Sequence, residues 1–524
     1  MPKRFFKAAL LFLALFAALS VAYWPAIFSQ YLYHDDVVYF MTTPTRLEPP
    51  GSLFNVAIGR FLGGNMLIAL GFLVKTMSDL NTIRFLSVVE LSMCGFLFVL
   101  WSRRHFLSLP ASFLIAIATF TLPPFQIMVS QAGMGFQPMG ILFAVLSAIF
   151  AYRISIEGYT PKRFFNKNAY ASMALFLSAI SVYQPAGMFF WAMLGFALLF
   201  SPESFKDLRA RVFNFAYVGF IVFGLYGVIL HQTKKFFMKF NLWAYNPYSL
   251  TTDYAGKIKW FFSDPLVSAL NLWNIFPQTL YANLLFGFIC MAAGLKIFRM
   301  YQARALDGKK VVFIFVVLSV LVFASFLPNL ASENNIFFYR CAPGLMALVL
   351  FFVLASCREY SEWGRKINKA LFFSVVLSGF VLCGIVLAFQ TIVHHRIVPS
   401  QREWSLFFNT IVQSNINQYK IIYVIEPQEE HLRHRGDEYR NLTTRYSHNM
   451  VGLLSCALRE MAKGKMRVVH IGYDEAAKKV LFVFEDLKNK GVYLRYETWI
   501  ESGPALDRFE EGTLVIDMRP LHDF

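Results

Sequence analysis

Long apolar runs, broken by short polar segments, dominate the first 390 residues. A helix needs about 20 apolar residues to cross a bilayer. Runs of that order recur near 8–29, 82–102, 111–129, 137–152, 168–182, 184–200, 212–231, 277–295, 311–328, 341–357 and 370–390. The pattern predicts a mainly α, polytopic membrane protein of about eleven transmembrane helices over residues 1–390. From about 395 the runs shorten. Residues 420–425, 467–472 and 514–518 read as short buried strands, and 450–461 and 475–487 carry helical periodicity. A small C-terminal α/β domain is therefore predicted over 395–524.

The segment 30–81 is too long and too polar for a plain connector. Pro44, Pro49, Pro50 and Gly51 break it, and residues 53–75 then turn helical. Phe54, Ile58, Phe61, Leu62 and Met66, with Arg60 and Asn65 between them, suit a helix lying in the membrane interface. A full span over 59–78 would invert every later loop.

Charge sets the sidedness. The net charge is +17, and from residue 391 onward 18 basic and 18 acidic side chains cancel. The excess therefore lies wholly in the apolar part, which has 31 basic and 14 acidic groups. With the N-terminus in the cytoplasm, the inner loops hold 21 Lys and Arg against 9 in the longer outer set. This is the positive-inside bias. It puts 30–81 and the C-terminal domain outside the cytoplasm. Basic residues confined to short loops between apolar runs speak against nucleic acid as a partner.

Composition agrees. The chain is 57% hydrophobic and 15% charged, against about 25% charged in soluble domains. The six cysteines show no paired or metal-ligand spacing. No phosphate loop, nucleophile motif or internal repeat is present. Lys3, Arg4 and Lys7 precede the first apolar run as in a signal peptide, but its length fits an anchor better.

Acidic residues are few enough in the membrane part to weigh singly. His34-Asp35-Asp36 follows directly on the first span. Adjacent carboxylates at a membrane edge raise each other's pKa and suit a general base or a divalent-cation site. A solvated helix end fits the spacing equally. Arg340, the one basic residue of the outer loop 329–340, suits a phosphate grip or an interfacial anchor. Arg60 has the same two readings. Tyr183-Gln184-Pro185, at an outer turn between two nearly touching spans, offers an amide to a sugar hydroxyl or caps a broken helix. Gln131 and Gln137 in the preceding outer loop read likewise. Arg84 and Glu90 lie at membrane depth, where charge points to pairing or function. His394 and His395 make a poor metal site by themselves.

Taken together, these features resemble the GT-C class of glycosyltransferases, and more narrowly the bacterial serotype-converting O-antigen glucosyltransferases. The resemblance rests on Tyr33-His34-Asp35-Asp36, Gly59-Arg60, Ser181-Val182-Tyr183-Gln184-Pro185 and Tyr339-Arg340-Cys341-Ala342-Pro343-Gly344. It covers residues 1 to about 390. Phe61 departs from it, since proline is expected after Gly-Arg. The resemblance implies a polyprenyl-phosphate-linked sugar donor, with glucose its narrowest form and another sugar, such as mannose, or another acceptor the alternative within the class, and a glycan acceptor on the outer face of a bacterial inner membrane. Asp35 or Asp36, with Asp35 slightly ahead, would be the base. Arg340 and Arg60 would hold the donor phosphate, and His34, Tyr183 and Gln184 would contact substrate. No cofactor is required, and a divalent cation is compatible with the site.

A lipid-linked-sugar flippase is the main alternative, but such proteins carry internal repeats and polar groups near the midplane. An O-acetyltransferase would need a histidine-based centre, and His34, His105 and His231 do not converge in the pattern.

Overall fold

The computed structural model describes residues 2–31, 36, 55–56, 58–74, 77–154, 166–201, 203–239, 250–273, 279–302, 308–335, 337–363, 369–398, 400–401, 421–425, 468–474, 479–484, 493–497 and 513–517. The chain is mainly helical. Each of the eleven apolar runs is helical in its described residues, but among the described residues only six helices are long and apolar enough to cross a membrane, or seven if one bent pair counts as a single span. The count of eleven is thus not reached on that criterion.

The shortfall has local causes. The 111–129 run bends by 63° between Leu109–Phe120 and Pro123–Ser130. Pro123 and Pro124 there cannot continue the preceding helix. The 184–200 run is interrupted at Met188 between Gln184–Gly187 and Phe189–Phe200. The first run breaks at Tyr23, where Pro2–Ala22 gives way to Trp24–Phe28.

Small side chains draw the helices together, as they must where water exclusion does not drive helix association. Gly140 of Gln137–Tyr152 lies close under Ala186, Val182 and the Ala179 carbonyl, so that a Cβ there would fit only if these neighbours gave way slightly. Further along this contact Ser147 Oγ donates to Ser172 O at 2.8 Å and Ser172 Oγ to Ser147 O at 2.9 Å, joining Gln137–Tyr152 to Lys167–Val182. Phe98, Phe196 and Phe351 pack edge-on, at 4.9 Å and 5.0 Å, where Met77–His105, Phe189–Phe200 and Pro343–Trp363 meet.

Gln137–Tyr152 separates two polar ends by about 24 Å, at 1.5 Å per residue. At its Tyr152 end, Tyr152 Oη donates to Glu203 at 2.6 Å, Arg211 pairs with Glu203 at 3.5 Å, and Lys310 Nζ donates to Glu203 O at 3.1 Å. The His105 ring lies 4.9 Å from Tyr152. Three of the predicted inner segments, 103–110, 201–211 and 296–310, thus gather at one end of the bundle.

The interfacial helix predicted over 53–75 is shorter, Phe61–Gly71. Gly59, at φ +87°, turns the chain ahead of it, a conformation that disfavours any residue with a Cβ. Residues 53 and 54 lie outside the described residues.

In the C-terminal part five strands form one sheet: β1 (Ile421–Ile425), β2 (Val468–Asp474), β3 (Lys479–Phe484), β4 (Tyr493–Glu497) and β5 (Thr513–Asp517). Their order is β2-β3-β4-β1-β5, with β1 parallel to β4 and β5 and the other pairs antiparallel. The helix expected over 475–487 is replaced by β3. Its Val480-Leu481-Phe482-Val483-Phe484 core is a continuous apolar run, which periodicity alone does not separate from helix. The helix expected over 450–461 lies outside the described residues.

Candidate functional site

The polar groups at the other end of the bundle fall into two adjoining clusters. The first surrounds Arg60, at the N-cap of the Phe61–Gly71 helix. Backbone turns hold this corner: Gly59 N–H donates to Val56 O at 3.0 Å and Arg60 N–H to Asn55 O at 2.8 Å. The Arg60 guanidinium is then fixed from three sides. Nε donates to Gln184 Oε1 at 3.1 Å, Nη1 donates to Asn55 Oδ1 at 3.2 Å, and the group lies 4.6 Å above the centre of the Tyr183 ring.

Gln184 is itself fully engaged. Its Nε2 donates to Ile58 O and to Tyr226 Oη, both at 2.7 Å, and Tyr226 Oη donates to Gly59 O at 3.1 Å. The amide expected to meet a sugar hydroxyl therefore positions Arg60 instead. Gly63 makes the close approach possible, since a Cβ there would run into the Val182 carbonyl and Phe136.

Tyr183 carries the cluster toward Arg340. It is buried, and its hydroxyl lies 3.3 Å from Cys341 Sγ. Burial pushes its phenol well above the usual value and Cys341 adds to this, while the charges of Arg60 and Arg340 both pull it back. Arg60 thus stacks on this ring, and the turn bearing Arg340 reaches the ring's hydroxyl through Cys341. Arg340 sits in the single turn Tyr339–Cys341, half-buried and 5.1 Å over the Phe338 ring.

Charge is uncompensated at Arg60. Three ion pairs form among the described residues, Arg84–Asp36, Arg211–Glu203 and Lys296–Glu359, and none includes Arg60. A guanidinium has five N–H donors, and two of these engage protein acceptors here. The half-buried group thus presents further donors and a full positive charge, already oriented, at the edge of the helical bundle.

The second cluster is centred on Asp36. Its carboxylate is fully buried and accepts from Arg84 Nη2 at 2.9 Å and from Gly133 N–H at 2.7 Å. Arg84 also donates to Tyr31 O at 2.9 Å and Asn81 Oδ1 at 3.0 Å, and stacks 3.7 Å over the Tyr31 ring. Tyr31 Oη donates to Ser130 O at 2.7 Å, and burial above all pushes that phenol up to about 12. With its oxygen turned toward the buried Arg396, Gln131 accepts from both terminal nitrogens, at 3.2 and 3.1 Å. The two clusters meet through the 132–136 turn, which bears Gly133 on one side and Phe136 on the other.

Four of the predicted site residues, Arg60, Tyr183, Gln184 and Arg340, therefore converge. Asp36 lies in the adjoining cluster with both oxygens engaged. His34 and Asp35 lie outside the described residues. Glu90 does not join Arg84, and its Oε2 has no hydrogen-bond partner among the described residues. Gln137 instead donates to Met134 Sδ. His394 is exposed on the π-turn after the last long helix. Asn55 and Tyr226 were missed in the sequence. Neither has a local signal, because each acts through a partner distant in the chain or held by the Gly59 turn. Among the described residues no three His, Cys, Asp or Glu side chains are grouped to hold a metal ion.

No protein-family model matches the chain, and no curated protein matches it at a significant level.

Proposed function

We propose that this chain is a membrane glycosyltransferase of the GT-C type. It moves a sugar, with glucose the first candidate, from a polyprenyl-phosphate carrier to a glycan on the outer face of a bacterial inner membrane. In this reading the eleven apolar runs cross or enter the membrane, the N-terminus is cytoplasmic, and the polar end carrying Arg60 faces the periplasm with the C-terminal domain. The observation that carries the proposal is the oriented, charge-uncompensated guanidinium of Arg60 beside Tyr183, whose hydroxyl meets the turn that bears Arg340. A pre-oriented cation at a membrane edge suits a lipid-borne phosphate.

The chemistry follows from that placement. The acceptor hydroxyl oxygen attacks the anomeric carbon, and the bond from that carbon to the phosphate oxygen breaks. The carrier phosphate leaves with its charge held by Arg60 and Arg340. The hydroxyl proton passes to a carboxylate, and one displacement inverts the anomeric centre. Asp35 takes the proton in this scheme. Asp36, clasped by Arg84 and the Gly133 N–H, has a positioning role and is not the proton acceptor. Gln184 positions Arg60, and Tyr183 supports it from below; His34 is the remaining candidate for substrate contact.

The test is transfer of radiolabelled glucose from polyprenyl-phosphate-glucose by purified protein in proteoliposomes. Wild type should transfer, and Asp35→Asn, Arg60→Ala and Arg340→Ala should each lose about a hundredfold or more. If wild type consumes no lipid-linked sugar, the enzyme reading fails and lipid-linked-sugar transport takes its place; if wild type transfers and all three variants match it, the site assigned here is wrong.

A further inference from the structure

The Tyr254–Ser263 helix, between the apolar runs 212–231 and 277–295, presents two unlike faces. Asp253 caps it, its carboxylate accepting from Gly256 N–H at 2.8 Å. Leu250, Tyr254, Ile258 and Phe262 recur every four residues and are 76%, 70%, 50% and 51% exposed. The opposite face packs down. Phe261 is buried against Phe323 at 5.1 Å and Phe326 at 5.8 Å, and Trp260 lies 6.1 Å from Phe326.

That inward face also grips the segment leading to Arg340. Lys257 Nζ donates to Asn334 O at 2.7 Å and to Asn329 O at 3.5 Å, and Asn329 Nδ2 donates to Cys341 O at 3.1 Å. Just before the helix, Leu250 pairs with Ser332, and Thr251 N–H donates to Ala331 O at 3.0 Å.

The occupant of the exposed face is indicated by its neighbour. Phe262 packs edge-on against Phe323 at 5.8 Å. Phe323 belongs to Gly308–Ala324, a helix that exposes Val312, Phe315, Val316 and Val320. The two apolar faces are therefore continuous, and in a membrane-embedded chain so large an exposed apolar surface faces lipid. Exposed Asp253 and Lys259 flank the stripe, as polar groups at headgroup level do.

We infer that the Tyr254–Ser263 helix lies in the membrane interface with Tyr254, Ile258 and Phe262 in the acyl boundary of the leaflet, and that this lipid contact steadies the 329–341 segment bearing Arg340. The inference rests on packing alone and holds whether or not the chain transfers sugar.

The first arm places p-benzoylphenylalanine at Ile258 or Phe262, and at exposed Thr252 for comparison, in protein reconstituted into phospholipid vesicles. After irradiation, mass spectrometry should find lipid adducts at 258 and 262 at least about fivefold above 252. Equal lipid yields at the three positions, or adducts to a second copy or another segment of the chain, overturn the inference.

The second arm follows hydrogen exchange of residues 329–341 in the same vesicles. Lys257→Met and the double variant Ile258→Glu/Phe262→Glu should each speed it about tenfold, with exchange in the Met77–His105 helix unchanged. Unchanged exchange at 329–341 refutes the coupling. Should the double variant loosen the whole bundle, Phe262→Ser provides the same comparison at lower cost. Neither arm needs turnover, so its failure is separate from failure of the glycosyltransferase reading.

Discussion

Breaking the Asp36–Arg84 pair offers the sharpest check on the role given to Asp36. At 2.9 Å and with both side chains fully buried, the Coulomb attraction is about 6 kcal/mol at an effective dielectric of 20. Desolvation of both ions offsets most of that, so the pair as a whole contributes little. Removing one partner is different, because it strands the other charge, at a cost of about 3–5 kcal/mol. Arg84→Met additionally loses the bonds to Tyr31 O and Asn81 and the stack on Tyr31. We expect Arg84→Met and Asp36→Leu each to lower stability by about 3–5 kcal/mol, and the double variant by clearly less than their sum. Equilibrium unfolding in mixed micelles measures all three. Single-variant costs under about 1 kcal/mol, or an additive double variant, would refute the reasoning. Transfer activity adds a second discriminator. If Asp36 only positions its loop, the double variant should recover part of the activity lost in Asp36→Leu; a proton acceptor could not be rescued in that way.

Gln184→Leu should lower transfer about ten- to a hundredfold with the fold retained, since it removes a charge-assisted bond orienting Arg60. Arg60→Lys should lose nearly as much as Arg60→Ala, because an ammonium cannot reproduce the bonds to Gln184 and Asn55; full activity in Arg60→Lys would reduce the site to a point charge. Gly63→Val should destabilise the chain by about 1–3 kcal/mol and detach the Phe61–Gly71 helix from Val182, read as faster amide exchange over 61–71. Burial lowers the Lys257 pKa from its usual 10.5, so the unfolded chain binds that proton more tightly. The resulting penalty is present below the folded pKa and is relieved as pH rises through it toward the unfolded value. Thermal stability should accordingly climb with pH across that window, and Lys257→Met should flatten the climb; an unchanged slope assigns it to another group.

Helical identity was legible along the membrane part because each helix there is a contiguous apolar run, and lipid selects for that in sequence. The distribution of positive charge among the short loops was also readable, since it is counted without knowing the fold, and Glu203, Arg211, Tyr152 and Lys310 do group at one end of the bundle. The tail was harder. A run such as Val480–Phe484 has no period of its own, and hydrogen bonding to β2 and β4 makes it a strand.

Gly59-Arg60 and Tyr183-Gln184, 124 residues apart for the Arg60–Gln184 bond, could be noticed in the sequence only as separate short motifs. Their distance was decided by tertiary packing. Gly63 lets the Phe61–Gly71 helix touch Val182, which brings Arg60 within reach of Gln184. Packing also decided what each polar group does. Gln184 meets Arg60, Ile58 and Tyr226, and Asp36 meets Arg84 and Gly133. A buried amide or carboxylate takes the role its neighbours leave it, because leaving its donors and acceptors unmatched would cost more than any local preference. Sequence alone thus determines that this chain carries helices apolar enough for a membrane and which polar residues stand out among them. Which of them are presented and which are clasped is a property of contacts between residues far apart in the chain.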